Sequence, residues 1–303
     1  MNLNSMFSTI DTHVLGENFR IIIQPPIGVN QSSMKENDAL LQERFTQEKN
    51  FLLNEPRGHR GINGCIVHLS DTDDFNLFFF NHEPSISFKY EGVAASLTAL
   101  LETGYLAPSS TNKYSVNTSF GKVYLTAIFE KNEVSSVVID TGKVEKEQVN
   151  NNVFILIENQ RYYKVEKLPS KVGAMDVSNL EALTHWGGET IQQYHENYVN
   201  LEGVIVVEKM GANHYKTITF EKDGYIRRAP GIDSTKAILA MWPESIQKNT
   251  EFVNETIFSS KLIIPEALDV TYNISYQVCP FIIGSHDFVL DSDDPLPSGF
   301  LLK

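Results

Sequence analysis

The chain has 303 residues, 42% of them hydrophobic, enough for one large core or for two lobes of about 150 residues each. Its formal net charge of -13 disfavours nucleic acid and anionic membrane surfaces, which repel a negative protein. No apolar run of about 18 residues predicts a transmembrane helix. Met1 to Ser5 lacks the basic and apolar regions of a signal peptide. Two distant cysteines, Cys65 and Cys279, indicate neither a disulfide framework nor a metal site, and fit a reducing cytoplasm.

Short runs rich in β-branched and aromatic residues predict strands at Phe19–Ile23, Gly64–His68, Val123–Ile128, Val153–Ile157, Gly203–Val207 and Tyr215–Phe220. Phe75 to Phe80 reads as a buried strand, Glu145 to Asn152 as a polar loop, and Cys65 and Cys279 as small core residues. Asn37 to Asn54 has a broken amphipathic spacing, and Ser178 to Val199 is a second helical candidate. Val93 to Glu102 and Asp233 to Trp242 are apolar nearly all round, which predicts buried helices. Each follows a short turn carrying Gly92 or Gly231. Two such helices among many strands suggest an internal duplication, with each lobe wrapping a sheet around one central helix. The boundary between lobes is expected near residue 165.

Several segments then resemble one family in their order and spacing. They are Ile10-Asp11-Thr12-His13 with Gly16-Glu17, and Glu55-Pro56-Arg57-Gly58-His59-Arg60-Gly61. Phe88-Lys89-Tyr90-Glu91-Gly92, Leu101-Glu102-Thr103-Gly104 and Tyr162-Tyr163 follow, the last pair placed at the end of a strand. Asp223 to Pro230 and Gly284 to Asp291 complete the set. Together they resemble the proline racemase family. The resemblance implies an α+β fold of two pseudo-symmetric lobes, each a curved, mostly antiparallel sheet or barrel around a central helix, as in diaminopimelate epimerase. It places the lobes at 1–165, joined by a final strand at about 286–303, and at 166–285, with a ligand cleft between them.

In that family two thiols move protons on opposite faces of a bound amino acid, without a cofactor. Helix N-termini hold the substrate carboxylate. Here the first cysteine position falls on Lys89, and the histidine after it on Glu91. At the second site Ala229-Pro230 matches Ser-Pro, the cysteine falls on Gly231, and an earlier aspartate on Arg227. Thr235 matches a threonine, whereas Ile232 and Ser234 stand at glycine positions. The resemblance therefore implies a changed chemistry, since the two-thiol mechanism lacks its thiols.

Lys89 and Glu91 read either as a base–acid pair or as a mutually paired duo. Asp233 and Ser234 read either as substrate contacts or as an N-cap, in which case Arg227 could neutralise Asp233. Tyr90, Gly92, Arg227, Gly231, Ile232, Asp233, Ser234 and Thr235 are the candidate substrate-binding residues. The expected ligand is a small amino-acid-derived or cyclic imino acid, converted by isomerisation or elimination without cofactor or metal. A non-catalytic relative that binds a ligand or partner is the alternative. The sequence leaves a homodimer open.

Overall fold

The computed structural model describes residues 3–24, 28–29, 33–82, 87–158, 160–196, 198, 200–266, 274–291 and 293–302. They divide into two units. The first holds the chain up to Ile139 and again from Val278, and the second is Asp140–Gln277.

The first unit contains β1 (Leu3–Val14), β2 (Glu17–Ile22), β3 (Ile62–Leu69), β4 (Phe75–Phe80), β5 (Lys113–Thr118), β6 (Gly121–Glu130) and β7 (Glu133–Asp140). The second contains β8 (Val144–Val149), β9 (Asn152–Ile157), β10 (Arg161–Lys167), β11 (Leu201–Lys209), β12 (His214–Glu221), β13 (Phe252–Glu255) and β14 (Lys261–Ile264). β15 (Ser275–Val278) leads the chain back to β16 (Pro280–Asp291), a strand of the first unit. The helices are α1 (Met34–Arg44), α2 (Thr46–Leu53), α3 (Tyr90–Glu102), α4 (Leu180–His195) and α5 (Ile232–Met241).

Strands of the first sheet follow the order β7-β6-β5-β4-β3-β2-β1-β16, and those of the second β14-β13-β12-β11-β10-β9-β8. Both are open, twisted sheets and not closed barrels. Their pairing senses are the same. From β16 to β6 the contacts run antiparallel, antiparallel, parallel, antiparallel, parallel, antiparallel. From β8 to β14 the same succession recurs. A parallel link needs a long crossover, and here each crossover carries helices. α1 and α2 join β2 to β3, and α4 joins β10 to β11. α3 joins β4 to β5, and α5 joins β12 to β13. The internal duplication expected from the two apolar helices is thus present in the topology.

α3 is buried from Tyr90 to Leu101, and packs on β1, β2, β3, β6 and β16. α5 is buried from Ile232 to Leu239, and packs on β8, β9 and β10. A helix apolar on all sides must be enclosed, and the sheets curl around these two. Gly92 permits the approach in the first unit: a Cβ there would stand 2.9 Å from the rings of both Phe19 and Phe79.

Several details differ from the sequence reading. The boundary lies at 139/140 and 277/278, not at 165 and 286. The residues between pair as β8, β9 and β10 of the second sheet, so they belong to that core. Glu145 to Asn152 is largely β8, an edge strand in which Lys146 and Gln148 are exposed, Glu145 and Glu147 half-buried and Val144 buried. Tyr162 and Tyr163 lie near the start of β10, not at a strand end. The single amphipathic run at 37–54 breaks into α1 and α2 at Phe45, which turns inward at 2% exposure onto Phe80. Cys65 is a core residue, but Cys279 is exposed. Of the 178–199 candidate, residues 197 and 199 lie outside the described set.

Candidate functional site

At the start of α3, the turn at Leu15-Gly16 delivers Glu17 as the first residue of β2. Lys89 is the N-cap residue of α3 in extended backbone, and its side chain does not cap the helix. Its Nζ lies 2.7 Å from Glu17 Oε1, with both side chains 2% exposed. Asn63 on β3 donates from Nδ2 to the same Glu17 oxygen at 3.0 Å. Glu91, one residue into the first turn of α3 beyond Tyr90, is buried as well. Taking two such charges out of water is costly, so their mutual attraction and the Asn63 hydrogen bond are what make the arrangement tenable. Tyr90 sits edge-on to Phe88, with ring centroids 4.8 Å apart, as part of the apolar wall. Cys65 lies in this same region. Burial pushes its thiol up to about 12, against weaker opposing effects of Ser96 and Lys89, so it remains a protonated core residue.

The second unit repeats the plan with the signs reversed. Arg161 is the first residue of β10, as Glu17 is of β2. Its Nη1 donates to Asp233 Oδ2, and its Nη2 lies 3.2 Å from Glu158 Oε2. Tyr163 donates its hydroxyl to Asp233 Oδ2 at 2.9 Å. Burial first, and then the Asp233 charge, hold the Tyr163 phenol well above its usual range. The same 72-residue separation links Glu17 to Lys89 and Arg161 to Asp233. Asp233 Oδ1 is buried and accepts no hydrogen bond. Lys236, one turn on, donates from Nζ to the Gly142 carbonyl at 2.7 Å. Burial lowers the Lys236 ammonium to about 8, against the pull of Asp233 and Glu158.

Two expectations for this region are overturned. Asp233 does not cap α5. Gly231 is the N-cap residue, and the Asp233 carboxylate turns to Arg161 and Tyr163 instead. Arg227 does not serve Asp233; its Nε donates to Glu221 Oε1 at 2.8 Å. The reason is placement, because β10 brings a cation across to α5 while β12 offers Arg227 a closer carboxylate. Ser234 and Thr235 donate their hydroxyls to the Gly231 carbonyl at 3.1 and 2.8 Å. Asn254 in turn donates to both hydroxyls, at 3.2 and 2.9 Å. These hydrogen bonds tie the turn before α5 to β13. Ile232 is fully buried core. Gly231 has φ 78 and ψ 145, a conformation strained for any side chain.

All ten candidate residues are buried, in two groups, one at each central helix. The sequence reading missed Glu17, Arg161, Tyr163 and Lys236 as members. The duplication was the available signal: aligning the two halves puts Glu17 opposite Arg161.

Each unit therefore presents a buried helix start furnished with an ion pair, on a fold of the diaminopimelate epimerase type. Comparison with known proteins agrees. The proline racemase family matches residues 9–155. A trans-3-hydroxy-L-proline dehydratase from Bacillus cereus is 29% identical over the full length of both chains. A proline racemase from Clostridioides difficile is 24% identical, again over the full length of both. The crystal structure of a hydroxyproline epimerase from Agrobacterium vitis, with bound trans-4-hydroxy-L-proline, superposes with a TM-score of 0.85 at 17% identity. That match covers 100% of this chain and 96% of the other. These comparisons support the proline racemase family for this chain. Isomerase- and lyase-type chemistry on imino acids is the activity of its relatives. None of the described helices is long and apolar enough to cross a membrane.

Proposed function

We propose that this protein performs cofactor-independent isomerase- or lyase-type chemistry on a small cyclic imino acid, without the two-thiol mechanism. The observation that carries this is the Lys89–Glu17 pair, 2.7 Å apart and buried beside Glu91 where α3 begins. Lys89 Nζ, hydrogen-bonded to Glu17, takes the role of proton donor. Glu91 takes the complementary role of base. For an elimination, Glu91 takes the α-proton and the Cα–H electron pair forms the new double bond. The C–O bond then breaks, and the hydroxyl leaves as water with a proton from Lys89. The substrate carboxylate lies at the first turn of α3, drawn by the helix dipole.

A second reading is favoured by the same ion pairs. A helix start whose charges already satisfy one another, as in Glu17–Lys89 and Arg161–Asp233, suits a relative that binds a ligand without turning it over.

Incubation in D2O with a panel of proline and hydroxyproline isomers, followed by NMR, separates the readings. We expect no racemisation of proline, and consumption of a hydroxylated imino acid that falls at least a hundredfold in Lys89→Met and Glu91→Gln. Rapid proline racemisation would overturn the non-thiol mechanism. Thermal stabilisation by an imino acid without turnover would establish the second reading.

A further inference from the structure

A cavity of about 570 Å³ lies within the second unit, near the C-terminal end of α5. Lys167 and Lys209 line it, the last residues of β10 and β11. So do Tyr215, Trp242 and Glu208. Trp242 is the C-cap residue of α5, so the cavity lies roughly 15 Å along the helix from Asp233. Crevices beyond the carboxyl ends of neighbouring parallel strands, such as β10 and β11, are common ligand sites.

Lys167 and Lys209 are both exposed, and three features bear on what the cavity could hold. Neither Lys167 nor Lys209 forms an ion pair among the described residues, although acids outnumber bases 38 to 25 in this chain. Their ammonium groups lie by aromatic faces, Lys167 Nζ 6.0 Å from the Trp242 ring centroid and Lys209 Nζ 5.8 Å from that of Tyr215. Tyr215 is 2% exposed, yet its buried hydroxyl has no hydrogen-bond partner. An unsatisfied buried hydroxyl is uncommon, and here it belongs to a residue that lines the cavity.

We propose that this cavity binds a planar heterocycle bearing an anionic group. The ring lies on Trp242, the anion meets Lys167 and Lys209, and the Tyr215 hydroxyl completes a hydrogen bond. Glu208 accepts from a ring N–H or amino group. The site is separate from the one at the helix starts and does not depend on the activity proposed there.

The chain has two tryptophans, so Trp186→Phe leaves Trp242 as the sole tryptophan of the full-length protein, excited selectively at wavelengths that tyrosine does not absorb. Titration uses adenosine monophosphate and pyridine-2-carboxylate as probes, with neutral adenosine as control. Saturable quenching below the millimolar range by one or both charged probes is expected, and which one responds distinguishes phosphate from carboxylate. Lys167→Met with Lys209→Met should weaken binding at least tenfold, as should raising salt, because charge-assisted contacts are lost or screened. Tyr215→Phe should weaken binding several-fold without lowering Tm, a separation that a structural hydroxyl would not give. No saturable response to either charged probe, equal affinity for adenosine, or unchanged affinity in the double lysine variant overturns the proposal.

Discussion

The two units share one succession of strand pairings and one placement of the central helix, yet they oppose each other in charge. At the start of α3 the strand supplies the acid, Glu17, and the helix supplies the cation, Lys89. At the start of α5 the strand supplies the cation, Arg161, and the helix supplies the acid, Asp233. A shared topology therefore fixes where a charge must be met, but not its sign. The supporting cast differs too. Glu17 also accepts from Asn63, whereas Asp233 also accepts from Tyr163, with Lys236 one turn beyond.

The largest effect should come from breaking these pairs one side at a time. Lys89→Met or Glu17→Leu alone should cost about 3–5 kcal/mol in urea unfolding, because each removes one side of a buried ion pair. The double variant should recover most of the loss. Arg161→Met should cost less, about 2–3 kcal/mol, since Tyr163 still donates to Asp233 and Lys236 remains close. Equal losses in the two units would show that the supporting residues do not matter.

The crossover helices sharpen the contrast. α4 buries Leu183, Gly187 and Ile191, whereas α1 buries Asn37, Asp38 and Leu41. Burial pushes the Asp38 carboxyl up to about 6 from 3.8, with Ser119 opposing it weakly. The folded value lies above the unfolded one, so the folded chain holds the extra proton between them. The stability linked to Asp38 is thus complete below about pH 4 and is lost as pH rises through about 6. At about 1.4 kcal/mol per pKa unit, the loss approaches about 3 kcal/mol. Asp38→Asn should raise stability at pH 7.5 by up to that amount and leave it unchanged at pH 4, as urea midpoints at the two pH values would report. A gain of the same size at both would remove ionisation as the cause.

The smallest effect concerns the N-cap positions. Lys89 has φ -136, open to any residue, but Gly231 has φ 78. Gly231→Ala should cost about 1–2 kcal/mol through backbone strain, visible as a lower Tm. No loss of Tm would mean the turn relaxes readily, and that a side chain could be restored there.

Much of the architecture was legible in the residues. The apolar runs at Val93–Glu102 and Asp233–Trp242 became α3 and α5, because a helix without a polar face has only one kind of place to go. The family signatures gave the two-unit fold. What stayed hidden was set by distance or by exposure. The partners of Lys89 and Asp233 lie 72 residues away, and no local pattern announces a pairing across that span. β8 read as a loop because the exposed face of an edge strand has the composition of one. Cys279 read as core because cysteines usually are, although its neighbours alternate between buried Val278 and Pro280 and it takes the solvent side.

The pairing of β1 with β16 also bears on the order in which the protein is made. A ribosome delivers β1 long before β16, so the first unit cannot close its sheet until synthesis has passed residue 291. The second unit is one continuous segment and has every strand from β8 to β14 in hand well before then. The half of the molecule that emerges later is therefore the half that can finish first. Until β16 arrives, the nascent first unit carries an unfilled strand edge along β1, the kind of surface that molecular chaperones are suited to shield.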